Sequence, residues 1–560
     1  MSLSLVLLGL IWAISVGSLI VVVWTLSEWA LAMWEDDTKT RRFAALSSPL
    51  LVLQFLKSRW RAMAFVFQGP AIIQAAYEQS NGAPFFVETP SNTIVLVSDW
   101  DRIKEINAAP EGTLSLLAAA KDLLQPKNTM SGFDWNVTRG SDGAPLQMTL
   151  RSRLVGYLPV LLPDIRRDLA AFIDQRIGSL PTMKSGEAQG PIFPIILEAV
   201  ARSNARAFFG SELSQNQEFL IASIKTIEQT LIMAEILRVV PTFLLPYVGQ
   251  FLSNRLNASK IMNAALTDLV AQRFQDRDLR NRGHNTPKYD DCIQWIMDHC
   301  PKHRPWGVTR IVHELIAVWF GSVHIASTTA CAAVFDLCDH PDLVDILRQE
   351  IEHTGWAKFD ESSGQILPLM DSFMKESARL NPIESVSTRR KVLKPFHFSD
   401  GTTVQPGDWI CSAPGAMNRN PAVWSEPDEF YPFRFVSQEA FQDAKTYLKD
   451  QSCTSALPLS SDQFKIPEAG KATPYTDISD WQQWGTGKGS CTGRWYASAA
   501  LKVIIGLLIM EYDFTLVDPA AERYFSWRTF KYPYASTHVA IRPRENVWMK
   551  GHRESCNHSL

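Results

Sequence analysis

A mainly α-helical chain with a small β portion, preceded by one apolar N-terminal helix, is what the sequence predicts. Three observations carry that prediction. Two long apolar runs have the length of helices, the first 300 residues read as helical apart from a β-rich patch over 84–97 (PFFVETPSNTIVLV), and further strand-like runs come only after Pro382. The chain has 560 residues, 46% hydrophobic and 20% charged, so it can bury a large core and is not a disordered polymer. Lys+Arg 55 against Asp+Glu 58 leaves a net charge of -3, which gives no electrostatic footprint for nucleic acid. The 8 cysteines are scattered without C-x-x-C pairs, so a reducing compartment is expected rather than a disulfide scaffold.

The first element is Leu3–Leu26, a run without a charge that as a helix spans about 36 Å, enough to cross a bilayer with some tilt. A cleaved signal peptide is the rival, because Ala30-Leu31-Ala32 imitates a cleavage site, but the run is long for one and no Lys or Arg precedes it. Lys39, Arg41 and Arg42 follow the span, so the positive-inside rule keeps the remainder cytosolic, with Glu35, Asp36 and Asp37 weakening the signal. No repeat or linker divides the rest. Residues 1–33 are read as a transmembrane anchor and 34–560 as one domain.

Leu315–Phe335 (LIAVWFGSVHIASTTACAAVF) is the second apolar run. Ser322, His324, Ser327, Thr328 and Thr329 crowd its middle, and a lipid-exposed helix would have to satisfy them in hydrocarbon. A helix over Val308–Cys338 through the core of a large domain fits better. Helical spacing puts Gly321, His324, Thr328 and Cys331 on one stripe, where they are expected to face a common space. Hydroxyls bonded to backbone carbonyls in an ordinary packing helix are the bland alternative.

Ser372–Leu380 (SFMKESARL) reads as helix ended by Asn381-Pro382, with Glu376 and Arg379 paired at i, i+3; alone, that pair is most simply a surface salt bridge. Short strands follow, punctuated by Ser399-Asp400-Gly401 and Gln405-Pro406-Gly407, then the Pro- and aromatic-rich PDEFYPFRF of Pro427–Phe435. Residues 440–480 are polar and patternless and read as a surface insertion. The loop WGTGKGSCTGR (484–494) then delivers Cys491 to the start of a helix over Trp495–Tyr512. Unsatisfied N–H groups at a helix N-terminus favour a thiolate, the metal-ligating form. Glycines at 485, 487, 489 and 493 let a flat group lie close to the backbone. Phosphate binding is the rival for such a loop, but Gly487-Lys488 is not followed by Ser or Thr.

Glu-x-x-Arg (Glu376, Arg379), Pro-x-x-Phe-x-Pro-x-Arg-Phe (Pro427, Phe430, Pro432, Arg434, Phe435) and Gly-x-x-x-Cys-x-Gly (Gly487, Cys491, Gly493), in that order, closely resemble the cytochrome P-450 family. The resemblance spans the chain after the anchor. Its finer texture, in Leu146–Ile165, the Gly-x-x-His helix and the Cys-Thr-Gly-Arg-Trp-Tyr-Ala-Ser run, is similar to microsomal enzymes of fungal secondary metabolism. The resemblance implies the cytochrome P-450 fold, haem b with Cys491 as its axial thiolate, and a structural charge network of Glu376, Arg379 and Arg434. It places Trp484 beside the thiolate, Gly487 and Gly493 against the haem, and Arg390 and Lys488 at its propionates.

Two positions depart from the family pattern. Gly489 stands where an Arg or His for a propionate is usual. In the long helix His324 takes the acid position and Ile325 and Ala326 the threonine positions, so His324, Ser327 and Thr328 become the candidate proton relay. The implied function is an endoplasmic-reticulum, single-pass monooxygenase acting on a small apolar terpenoid, polyketide or indole alkaloid. It would use O2 and electrons from NADPH-cytochrome P-450 reductase, with cytochrome b5 as a further candidate donor. The implied pocket is lined by the long helix, the loop around Leu114–Phe133, segments near Ile232–Val248 and residues after Pro382. Two alternatives stay open: a haem-thiolate isomerase or dehydratase that needs no external electrons, motivated by Ile325, and a non-catalytic membrane-tethered haem-binding protein.

Overall fold

The computed structural model describes residues 49–130, 144–184, 186–238, 240, 242–449, 472–479 and 481–544. The expected anchor at Leu3–Leu26 lies outside them. The helices of eight residues or more are α1 (Pro49–Ser80), α2 (Trp100–Ala108), α3 (Leu116–Leu124), α4 (Leu154–Gly178), α5 (Ile192–Phe209), α6 (Gln217–Arg238), α7 (Leu245–Arg255), α8 (Ala258–Asn281), α9 (Cys292–His299), α10 (Val308–Asp339), α11 (Pro341–Thr354), α12 (Pro368–Leu380), α13 (Gln438–Lys449) and α14 (Arg494–Glu511).

Their limits follow local chemistry. Asp99 caps α2 and Asp291 caps α9, each carboxylate accepting from an N–H three residues on. Pro341 and Pro368 stand in the first turns of α11 and α12, where a missing N–H costs nothing. α1 changes direction at Gln68, two residues before Pro70, and Gly69 is pressed against the chain. A Cβ there would lie 1.8 Å from the Arg528 carbonyl oxygen.

Leucine, isoleucine, alanine and phenylalanine from α4, α5, α10, α12 and α14 form one continuous core, with α10 packed chiefly on α5 and α14 on α4. α10 passes through that core. Its composition would suit a bilayer, but Leu315, Trp319, Val323 and the whole run Ser327–Phe335 are buried in protein. The long apolar helix is thus an internal element, as expected.

The β portion lies to one side. β1 (Phe85–Glu88), β2 (Thr93–Val97), β8 (Trp409–Ser412), β5 (Ser387–Val392) and β3 (Leu114–Ser115) form a sheet in that order, with only β2 and β8 parallel. β4 (Ala188–Pro191), β12 (His538–Pro543) and β9 (Tyr512–Leu516) make a second sheet, and the pairs β6–β7 (Phe396–His397, Thr403–Val404) and β10–β11 (Tyr524–Trp527, Phe530–Pro533) are hairpins. One irregularity bears on the site. Ser387 pairs with Ser412 but Arg390 with Ile410, so β5 carries one extra residue there, and Thr388 inside this bulge has φ 49°.

Residues 440–480 differ from the expected surface insertion. α13 covers their start and buries Phe441 and Ala444, while Tyr475 near their end is fully buried. The intervening residues 450–471 lie outside the described ones. Polarity misled because Tyr475 is fixed by a distant group: Asp371 of α12 accepts its backbone N–H at 2.6 Å.

Candidate active site

Cys491 sits three residues before α14, at the end of a loop built to present it. The loop turns through Gly485 (φ 69°) and Gly487 (φ 56°), a left-handed backbone that favours glycine. It closes with the Cys491 N–H donating to the Trp484 carbonyl at 2.6 Å. Gly493 is the N-cap of α14, and its N–H points back to the Cys491 side chain. Burial pushes the Cys491 thiol up, with the Gly493 N–H and the Arg494 guanidinium pulling the other way. The helix start therefore only softens the cost of a thiolate here, a weaker effect than the expected activation. By area Cys491 is exposed although protein crowds it, which fits a sulfur facing an opening inside the fold.

Trp484 does not point its N–H at the sulfur. Its indole donates to the Tyr475 carbonyl at 2.6 Å, with the two rings edge to face at 5.1 Å. Tyr475 bridges the loop to α10: its hydroxyl approaches Thr329, and it feels the charge of Cys491. Its phenol is pushed well up by burial.

Glu376, Arg379 and Arg434 come together as one buried cluster rather than a surface pair. Arg379 grips Glu376 through two bonds of 2.7 and 2.8 Å, and Arg434 Nε lies 3.1 Å from both carboxylate oxygens. Glu376 and Arg379 are 0% exposed. The remaining guanidinium N–H groups donate to the carbonyls of Asn418, Pro427, Glu429 and Ser425. Two cations share one carboxylate, and backbone carbonyls take up their other donors, which lowers the cost of burying the cluster. Burial nonetheless pulls Arg434 down from its ordinary value, opposed by Glu376.

Arg390 is different. It lies on the buried face of β5, yet it makes no ion pair with a carboxylate among the described residues; Nη1 donates only to the neighbouring Arg389 carbonyl at 2.8 Å. Burial lowers its pKa, with the more distant Glu111 opposing. A buried guanidinium of this kind needs an anion. Its Nη2 would lie 3.0 Å from a Cβ on Gly489, so it overhangs the cysteine loop. Lys488 is exposed. Gly493 has open space around its missing side chain.

Along α10 the expected stripe is not the one that opens. Gly321 and Ile325, one turn apart, are exposed in mid-helix, Ile325 by 43%, whereas Thr328 and Cys331 are buried. The rotation of 100° per residue turns His324 away, toward α6, where Nε2 lies 3.7 Å from Glu228 Oε1. Ser327 spends its hydroxyl on the Val323 carbonyl at 2.7 Å. His324 Nδ1 and Thr328 Oγ1 are buried with no hydrogen-bond partner among the described residues.

A planar macrocycle bearing two carboxylates fits these residues: an exposed cysteine on a glycine-rich loop, an aliphatic and glycine surface on α10, and a buried cation without a carboxylate partner among the described residues. The residues missed from sequence are those that tie the loop to the sheet. Asn107 of α2 donates to the Thr486 hydroxyl at 2.8 Å, Thr486 and Thr388 share a hydrogen bond of 3.0 Å, and Gln482 accepts from Ser412 and Ser387.

Comparison with known proteins agrees with this geometry. The family model described as Cytochrome P450 matches residues 160–525. Cytochrome P450 monooxygenase paxP of Penicillium paxilli is 27% identical over 82% of this chain and 82% of its own length. Cytochrome P450 monooxygenase 151 of Postia placenta is 25% identical over 91% of this chain and 95% of its own. Among solved structures, a retinoic acid bound cyanobacterial CYP120A1 superposes with TM-score 0.58 at 16% identity, covering 84% of this chain and 94% of that one. The heme domain of cytochrome P450DA gives 0.60 at 14% identity, with coverage of 85% and 93%.

Proposed function

The chain belongs to the cytochrome P450 family, a monooxygenase that carries haem b on a cysteine thiolate, and from that premise we propose that Cys491 is the thiolate and that the substrate is an apolar natural product. The reaction is oxidation at an unactivated C–H, by hydroxylation, desaturation or a related step, in fungal secondary metabolism. Electrons come from NADPH-cytochrome P-450 reductase, and Leu3–Leu26 anchors the enzyme in the endoplasmic reticulum membrane. The observation that carries the site assignment is the presentation of an exposed Cys491 just before α14, on a loop overhung by Arg390, which has no carboxylate partner among the described residues.

Haem bound by a thiolate supplies activation of dioxygen. The protein's own groups do the rest. Gly493 N–H donates toward the sulfur, and Trp484 gives its indole N–H to the Tyr475 carbonyl rather than to the sulfur. Buried Arg390 would hold one propionate of the haem, and exposed Lys488 would meet the other. The Glu376 cluster holds the segment 418–434 against α12, which keeps the cysteine side of the fold rigid. On the other side, Gly321 and Ile325 give a smooth apolar wall suited to a hydrocarbon skeleton. Of the three relay candidates Ser327 has its hydroxyl occupied, while His324 and Thr328 keep uncommitted polar atoms but stand off the exposed Gly321–Ile325 stripe, so a proton from either would reach the site through water or a substrate hydroxyl. Shifts of haem absorbance across terpenoid, polyketide and indole compounds identify the substrate class. Product formation that needs NADPH, reductase and O2 supports the reading. Conversion by purified protein without reductase would instead support the isomerase or dehydratase alternative that Ile325 suggests.

A further inference from the structure

Thr388 is a β-branched residue held at φ 49°, a conformation that costs free energy unless its surroundings impose it. It sits inside the β5 bulge, two residues before Arg390 on the same buried face of the strand. The bulge decides where Arg390 points, because an extra residue in one strand re-aims the side chains that follow it. What imposes the bulge is a chain of side-chain hydrogen bonds. The Thr388 hydroxyl is bonded at 3.0 Å to that of Thr486, and Thr486 accepts at 2.8 Å from Asn107. Thr388 and Thr486 are 8% and 5% exposed, so water does not compete.

The chain joins three separate parts: α2, the cysteine loop and the sheet. Thr486 stands between Gly485 and Gly487, the two left-handed turns of the loop. Gly487 lies so close to Asn107 that a Cβ there would be 3.1 Å from Asn107 Cγ. Gly489, two residues before Cys491, leaves the room that the Arg390 guanidinium occupies.

We propose that Asn107, Thr486 and Thr388 are positioning residues that lock the β5 bulge to the cysteine loop and thereby hold Arg390 over Gly489, so that a cation from the sheet replaces the one this loop lacks. The proposal rests on the haem-thiolate reading, because Arg390 acts on a propionate. No atom of the three residues need touch the haem. Their effect passes through the placement of Arg390.

The test is the rate of haem transfer from reconstituted holoenzyme to excess apomyoglobin, with the reduced carbon monoxide spectrum read alongside. Thr486→Val removes the central hydroxyl while keeping its shape, and haem release speeds up about tenfold, the size of one buried hydrogen bond. Thr486→Ser restores the parental rate to within about twofold. Asn107→Ala, which leaves the loop sequence intact, moves release in the same direction and serves if the Thr486 variant fails to fold. In an Arg390→Gln background Thr486→Val adds nothing further, the non-additivity expected of residues acting through one another. An unchanged release rate in both Thr486→Val and Asn107→Ala, or an equal acceleration with and without Arg390, overturns the proposal. Loss of the thiolate-type spectrum in the parent enzyme would overturn the haem-thiolate reading itself, a separate result.

Discussion

Glu376 is held by two guanidinium groups and the Tyr431 N–H, and those guanidiniums spend their other donors on backbone carbonyls. Along the middle of α10, by contrast, His324 and Thr328 keep buried polar atoms that meet no partner among the described residues, and Ile325 stands open. The Glu376 cluster is saturated and the middle of α10 is not. A saturated cluster cannot lose a member without stranding a charge, whereas an unsaturated surface can accept a new side chain or a substrate oxygen at small cost. The first arrangement suits holding a cofactor, the second suits changing what is oxidised.

The sharpest way to break this comparison is at the sulfur. Cys491→Ala leaves the loop and its hydrogen bonds nearly unaltered, since the backbone N–H rather than the side chain bonds to Trp484. The thiolate-type carbon monoxide spectrum of the reduced protein is expected to vanish together with turnover. If the spectrum survives, another residue is the ligand and the cysteine loop has been misassigned.

Next comes the charge cluster. Glu376→Gln leaves two buried guanidiniums facing an amide, and such a stranded pair costs roughly 3–5 kcal/mol. A fall in melting temperature with loss of bound haem is expected. The exposed pair Lys104–Asp101, at 74% and 89% side-chain exposure, is the control: Asp101→Asn should shift stability by less than about 0.5 kcal/mol. Equal effects would mean the buried cluster is no more than a row of surface pairs.

How far these two sides could be read from sequence differs as well. α10 was expected over Val308–Cys338 and runs Val308–Asp339; the helix before Asn381-Pro382 begins four residues sooner than expected because Pro368 can open it. The turns at Gly485 and Gly487 that bring the cysteine loop to the start of α14 were legible because such turns need glycines in a fixed local order. The Thr388–Thr486 and Asn107–Thr486 bonds were not, being 98 and 379 residues apart along the chain, with no local pattern to announce them. The stripe on α10 failed for a subtler reason. Periodicity tells which residues share a face, but not which face meets an opening, and packing on α5 and α6 chose Gly321–Ile325 instead of Gly321–Thr328.

Buried carboxylates on the closed parts of the molecule are not all ionised, and pH separates them. Asp336, near the end of α10, is bonded by the Asn381 amide at 3.3 Å and by no guanidinium among the described residues. Burial pushes its carboxyl up to about 7 from an ordinary 3.8. The fold therefore favours the neutral form. Its contribution is complete below pH 3.8 and is lost as pH rises through about 7, a change on the order of 2–4 kcal/mol. Denaturant melts of Asp336→Asn across that window should be flatter than those of the parent; parallel curves would show that Asp336 is charged in the fold.

On the open side, Ile325→Thr places a hydroxyl one turn from Gly321, on the exposed stripe of α10. If oxygen activation is merely short of a donor there, the fraction of NADPH converted to product should rise severalfold with little change in stability, because a 43% exposed side chain is not a packing element. No change would mean that His324, Thr328 or a substrate hydroxyl already serves, and Thr328→Val would then lower coupling by a comparable factor.

The smallest effect is expected at Lys488, and it is the most discriminating within the cysteine side itself. Lys488 and Arg390 carry the same charge and both lie at the loop, but one is exposed and the other buried without a carboxylate. Water screens the first, so Lys488→Ala should change the rate of haem release by less than about threefold. The second has no such screening, and Arg390→Gln should accelerate release by far more. Were Lys488 the stronger of the two, the propionates would have to be held from the solvent edge, and the buried guanidinium would need a different anion to account for its place in the sheet.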